Sequence, residues 1–135
     1  MTKVVLDTNI FVSSIFWEKG NPHKIVEMAL DKKIHVFTTI EILQELEKVL
    51  KRDFEEPDDL IQRQISLILE YATVVEPVVK LDAVKADSDD NKIIECAFTC
   101  GADYIVTGDR HLLDIINYNK IKIISSRIFL ELQKR

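Results

Sequence analysis

Acidic residues stand where strand-like runs end. "KVVLDTN" (Lys3–Asn9) places Asp7 directly after Val4-Val5-Leu6. "IVTGD" (Ile105–Asp109) does the same with Asp109, and "DSDDN" (Asp87–Asn91) opens a helical pattern with a group of acids. Carboxylates held close together repel one another and titrate abnormally unless a cation neutralises them. Hard oxygen donors without histidine or cysteine suit Mg²⁺ or Mn²⁺. Such ions, singly or in pairs, can activate water and stabilise the leaving oxygen of an in-line phosphoryl displacement. The chemistry these residue types favour is therefore phosphodiester hydrolysis, with no side chain acting as nucleophile.

The elements that must position these acids alternate between two periods. Strands are expected at Val4–Leu6, Ile34–Thr39, Thr73–Val79 with an end near Pro77, Asp103–Gly108 and Ile121–Ser125. Helices are expected at Asn9–Phe16 and from an Asn21 cap with Pro22 at the first helical position to Lys32. A Thr38/Glu41 capping box opens another to about Lys51, and Pro57 opens one to about Ala72. Asp89 to Gly101, with glycine as C-cap, is a further helix. His111–Ile116 and Ile128–Lys134, capped by Ser125 or Ser126, follow. Residues Lys51–Asp59 read as a polar connection. Strands separated by helices imply a parallel sheet covered on both faces. In an open α/β sheet, ligands bind beyond the carboxyl ends of the strands. Asp7, Asp90 and Asp109 could each merely cap the helix that follows, but one acidic pocket accounts for all three more economically.

A fourth acid belongs to the helix after the second strand. Its apolar stripe is Ile42, Leu43, Leu46, Val49 and Leu50. Glu41 then points to solvent, while Glu45 and Glu47 lie on the two flanks, and periodicity does not choose between them.

The 135 residues are expected to form one domain, 47% apolar and 30% charged, with a net charge of -5. That charge argues against a large basic surface for nucleic acid, though cations bound by an acidic cluster would invert the local field. No apolar run approaches the ~20 residues that span a membrane. With no leader-like start, the cytoplasm is expected. Cys96 and Cys100, four apart, read as small core residues on one helix face.

"VLDTNIFVSSI", "EILQELEKVL", "DSDDNKIIECA" and "ADYIVTGDRHLL" together resemble the motifs of PIN-domain ribonucleases, especially the VapC-like toxins of toxin–antitoxin systems. The resemblance covers essentially the whole chain. It implies a three-layer α/β/α sandwich around a five-stranded parallel sheet. Residue by residue, it places the family acids on Asp7, Glu45, Asp90 and Asp109, preferring Glu45 to Glu47. Asn9 and Thr107 match positions that brace the pocket, and Asp87 and Asp89 are additional acids. It further implies Mg²⁺ or Mn²⁺ as cofactor, internal cleavage of RNA, an antitoxin partner and homodimers. The alternative is a catalytically weak PIN domain that binds RNA or protein. A dehalogenase-like phosphatase would need an acid where Asn9 stands, and a receiver domain would need paired acids near the first strand.

Overall fold

The computed structural model describes residues 1–78 and 88–134, with residues 88–90 described by their backbone. Four helices accompany the first three strands. β1 (Lys3–Leu6) leads into α1 (Thr8–Phe16) and α2 (Asn21–Leu30). β2 (His35–Thr38) leads into α3 (Ile40–Phe54) and α4 (Asp58–Tyr71), and β3 (Ala72–Val74) follows. Then come α5 (Ser88–Cys100), β4 (Tyr104–Val106), α6 (Arg110–Leu113), β5 (Asn117–Tyr118), β6 (Ile121–Ile124) and α7 (Ser126–Gln133).

Among the described residues the strands form one sheet in the order β3-β2-β1-β4-β6-β5. The five strands expected from sequence are mutually parallel; β5 adds a sixth, antiparallel to β6. This two-residue strand is too short to carry a period, so the pattern of apolar residues does not reveal it. The turn that pairs it with β6 places Asn119 at φ 55°, a conformation asparagine tolerates.

The chain builds the sheet outward from β1 in both directions, so β1 and β4 flank the point where strand order reverses. Right-handed crossovers then put the helices that follow β1 and β2 on the face opposite α5, and α7 returns to pack on α2. α1, α2, α3 and α4 pack on one another, while α5 lies against β1, β2 and β4. The central strands are buried on both sides: Val4, Val5, Leu6, Val36, Ile105 and Val106 are fully enclosed. That fits the continuous apolar runs of a parallel sheet.

Several boundaries differ from the sequence reading: β3 ends at Val74, short of Pro77, and α6 spans Arg110–Leu113 in place of His111–Ile116. The cap of α3 is Thr39, whose Oγ1 accepts from the Ile42 N–H at 3.2 Å. Glu41 therefore sits one position early for a reciprocal capping box. Thr38 instead ends β2, and its buried hydroxyl has no hydrogen-bond partner among the described residues. α2 is capped by Gly20 without a side-chain bond, and Asn21 lies inside it. α3 runs on to Phe54, closing with Glu55 in the left-handed region, so the polar connection shrinks to residues 55–57. Gly101 does close α5, at φ 68°. No helix among the described residues is long and apolar enough to cross a membrane.

Candidate functional site

The carboxyl ends of β1 and β4 lie side by side, since Leu6 is in register with Val106. The next residues, Asp7 and Thr107, therefore meet. Asp7 Oδ2 accepts the Thr107 hydroxyl at 2.7 Å, and Thr107 Oγ1 in turn accepts the Asp109 N–H at 2.9 Å. One fully buried hydroxyl thus couples the acid after β1 to the turn that carries the acid after β4. Asp7 Oδ1 accepts the Thr8 N–H at 2.7 Å, and Asp109 Oδ1 accepts the N–H groups of His111 and Leu112. Both acids do cap their helices, as sequence allowed. Capping and convergence coexist because each helix starts where its strand ends.

Glu45 joins through Thr8. The Thr8 hydroxyl donates to Glu45 Oε2 at 2.6 Å, while the same residue's N–H holds Asp7. Glu47 faces the other flank of α3, accepting from Gln62 on α4 at 3.4 Å. The register of α3 on the sheet, which periodicity left open, brings Glu45 and not Glu47 to the strand ends. Glu41 is exposed but borders the same cleft as Glu45, so it does not face bulk solvent alone.

α5 runs back along the sheet. Its last residue, Cys100, accepts from Lys3 Nζ at the start of β1, so its first turn lies at the opposite edge, where Asp7 and Asp109 stand. Asp89 and Asp90 belong to that first turn. Their side chains lie outside the described residues, as does the whole of Asp87. Among the described residues, no three His, Cys, Asp or Glu side chains form a group able to hold a metal ion. Asn9 is exposed, and its side chain makes no hydrogen bond among the described residues; the bracing expected of it comes from Thr8. Arg110 and His111 are also exposed or half-exposed.

Asp7 is 6% exposed. Burial pushes its carboxyl above the usual range, against the Thr107 and Thr8 hydrogen bonds that pull it down; the charges of Asp109 and then Glu45 push it further up. Its hydrogen-bond donors are neutral. An anion buried among like charges suits a hard divalent cation, and the donor set is all oxygen.

Sequence reasoning missed Lys92. Its Nζ lies 3.2 Å from Glu45 Oε2, and the pair is well shielded, at 12% and 24% side-chain exposure. The signal available was position: Lys92 follows Asp90 by two residues on the same helix start. Asn91 and Glu95 are further buried polar residues of α5; both fall within "DSDDNKIIECA", which assigned them no role.

Thr107 is the hinge of the arrangement. Thr107→Val keeps shape but removes a donor to the buried Asp7 carboxylate and an acceptor for the Asp109 N–H. Leaving such groups unmet costs about 1–3 kcal/mol. Urea denaturation should show a lower midpoint at unchanged slope; a variant as stable as wild type would mean the hydroxyl does not hold this edge together.

Comparison with known proteins agrees with the geometry. The PIN domain matches residues 3–111. An uncharacterized protein of Methanocaldococcus jannaschii is 31% identical over 122 residues, covering 87% of this chain and 77% of that one. The crystal structure of VapBC2 from Rickettsia felis, bound to a DNA fragment from their promoter, includes a chain that superposes with a TM-score of 0.67 at 16% identity. That match covers 90% of this chain and 97% of the other. PAE2754 from Pyrobaculum aerophilum superposes with a TM-score of 0.59 at 17% identity, covering 99% and 98%. At these identities both structures speak for the fold.

Proposed function

Since the chain belongs to the PIN domain family, whose members are generally nucleases, we propose that it is a metal-dependent endoribonuclease of the cytoplasm and the toxin of a toxin–antitoxin pair. The observation that carries this reading is the Thr107 hydroxyl, which joins Asp7 to the Asp109 turn where strand order reverses. Asp7, Glu45, Asp90 and Asp109 are the residues that would hold Mg²⁺ or Mn²⁺. Bound there, such an ion supplies a polarised water and charge neutralisation for in-line displacement at phosphorus. Thr107 and Thr8 fix the carboxylates of Asp7 and Glu45, so that little reorganisation is needed when substrate arrives. Asp89 adds negative charge to the same helix start, and Asp87 precedes that helix in the sequence.

An open cleft of about 340 Å³ leads away from Glu45, lined by Glu41, Gln44, Lys48, Val49, Arg52 and Lys92. Lys48 and Arg52 share a helix face with Glu45 and offer positive charge to a phosphate backbone in a chain whose net charge is -5. RNA is the proposed substrate because the resemblance to PIN-domain ribonucleases implies it. The similarity to a VapBC chain supports an antitoxin partner as a further proposal; a homodimer is proposed from the family resemblance alone.

The test is incubation of mixed RNA with the purified chain, with Mn²⁺ or with EDTA. Internal cleavage that needs the ion supports the reading. RNA binding without cleavage would favour a binding module instead. In the cleavage-deficient background, replacing Lys48 and Arg52 by alanine should weaken RNA binding and reduce the slope of log K against log salt. The reduction should be roughly 0.7 for each phosphate that the variant no longer neutralises. An unchanged slope would remove the cleft from the RNA path.

A further inference from the structure

Lys92 changes what the acidic edge can hold. Glu45 Oε2 receives Lys92 Nζ at 3.2 Å and the Thr8 hydroxyl at 2.6 Å. That oxygen already carries a full positive charge and a neutral donor. The ammonium is anchored from α5, which packs against β1, β2 and β4, so it is part of the frame and not a loose surface group. With 12% of its side chain exposed, it is shielded from the solvent that weakens exposed pairs. On the other side of Thr8, Asp7 and Asp109 are coupled through Thr107, and the donors to Asp7 are neutral. Among the described residues the acidic edge is therefore divided: Glu45 has a cation belonging to the chain, whereas Asp7 and Asp109 have neutral donors and are left to a cation from solution.

We propose that Lys92 takes the place of a second metal ion at Glu45, so that the wild-type site binds a single divalent ion on the Asp7–Asp109 side. The inference rests on the metal-site reading above and narrows it: Glu45, held by Lys92 and Thr8, leaves the ligand set of the single ion, and Lys92 is the residue that sets the stoichiometry. Two divalent ions and an ammonium beside the same few carboxylates would repel one another far more strongly than an ammonium and one ion do. Lys92 is a positioning residue in this account. It orients Glu45 and fixes the charge of the pocket without touching the reacting atoms.

Mn²⁺ itself is the probe. Titration of the full chain, followed by the loss of the free-ion electron paramagnetic resonance signal, counts bound ions without reference to activity. Wild type is expected to take up one Mn²⁺ per chain, and Lys92→Met two. Two ions in wild type, or one in a folded Lys92→Met, would overturn the proposal while leaving the metal site intact. No ion in wild type would overturn both. Glu45→Gln provides an arm that does not depend on the folding of the Lys92 variant. It should still bind one ion, whereas Asp7→Asn should bind none. Loss of the ion in folded Glu45→Gln would make Glu45 a ligand of the sole ion and end the proposal.

Discussion

Asp7→Asn is expected to lower RNA cleavage by at least about 100-fold with the fold retained. Loss even of an outer-shell partner typically costs 10–100-fold in metal affinity or activity, and a direct ligand should cost no less. The substitution preserves size and removes one negative charge from a buried carboxylate of the edge. The matched control is Asp31→Asn. Asp31 caps the C-terminus of α2 just before β2. Because β1 and β2 are parallel and Lys3 pairs with His35, Asp31 lies at the sheet edge opposite Asp7. Both changes alter net charge equally, so a difference between them cannot reflect general attraction for RNA. Glu41→Gln would be a poorer control, since Glu41 borders the cleft. Cleavage by folded Asp7→Asn at the wild-type rate, with contaminating nucleases excluded, would sink the metal-nuclease reading.

Mn²⁺ is expected to raise the melting temperature of wild type, and this rise should vanish in Asp7→Asn. A ligand that binds the folded state alone, at a hundredfold excess over its Kd, stabilises by about 2.7 kcal/mol. For a chain of 135 residues that is on the order of 10 °C. The physical source is the buried Asp7 carboxyl, whose pKa is raised chiefly by desolvation. For an acid with a raised folded pKa, the folded state binds the proton more tightly than the unfolded state does. Its contribution to stability therefore falls as pH rises from the unfolded value of 3.8 through the raised folded value. Once ionised, the buried group destabilises the metal-free fold, and a cation relieves that cost. Differential scanning calorimetry at neutral pH, with EDTA or with Mn²⁺, measures the effect. Equal shifts in wild type and Asp7→Asn would place the stabilising ion elsewhere.

Asp7, Asp90 and Asp109 are legible in the sequence because strand ends and helix starts are written in local patterns. Val4-Val5-Leu6 must be buried, so the acid after it lies at a strand end. Gly101 must close its helix, so Tyr104–Val106 must begin a strand. Glu45 is different. The apolar stripe of α3 fixed which of its faces is inward but not how the helix is rolled on the sheet, since Glu45 and Glu47 flank the stripe about equally; family resemblance alone preferred Glu45. Tertiary packing made that choice physically, by setting Glu45 on the Thr8 hydroxyl and Glu47 against Gln62 of α4. The cap of α3 slipped from Thr38 to Thr39 for a related reason: adjacent threonines offer the same side chain, and the length of the β2 ladder decides which is free to cap. The sequence by itself thus determined where the acids stand along the elements, the order of those elements and the layered architecture, all of which follow from short-range periodicity and end signals. Only the tertiary structure decided that Thr107 bridges Asp7 to the Asp109 turn, that Thr8 ties Asp7 to Glu45, and that Lys92 sits on Glu45. These contacts join residues far apart in the chain, and their geometry is set by strand register and helix packing, which no local pattern encodes.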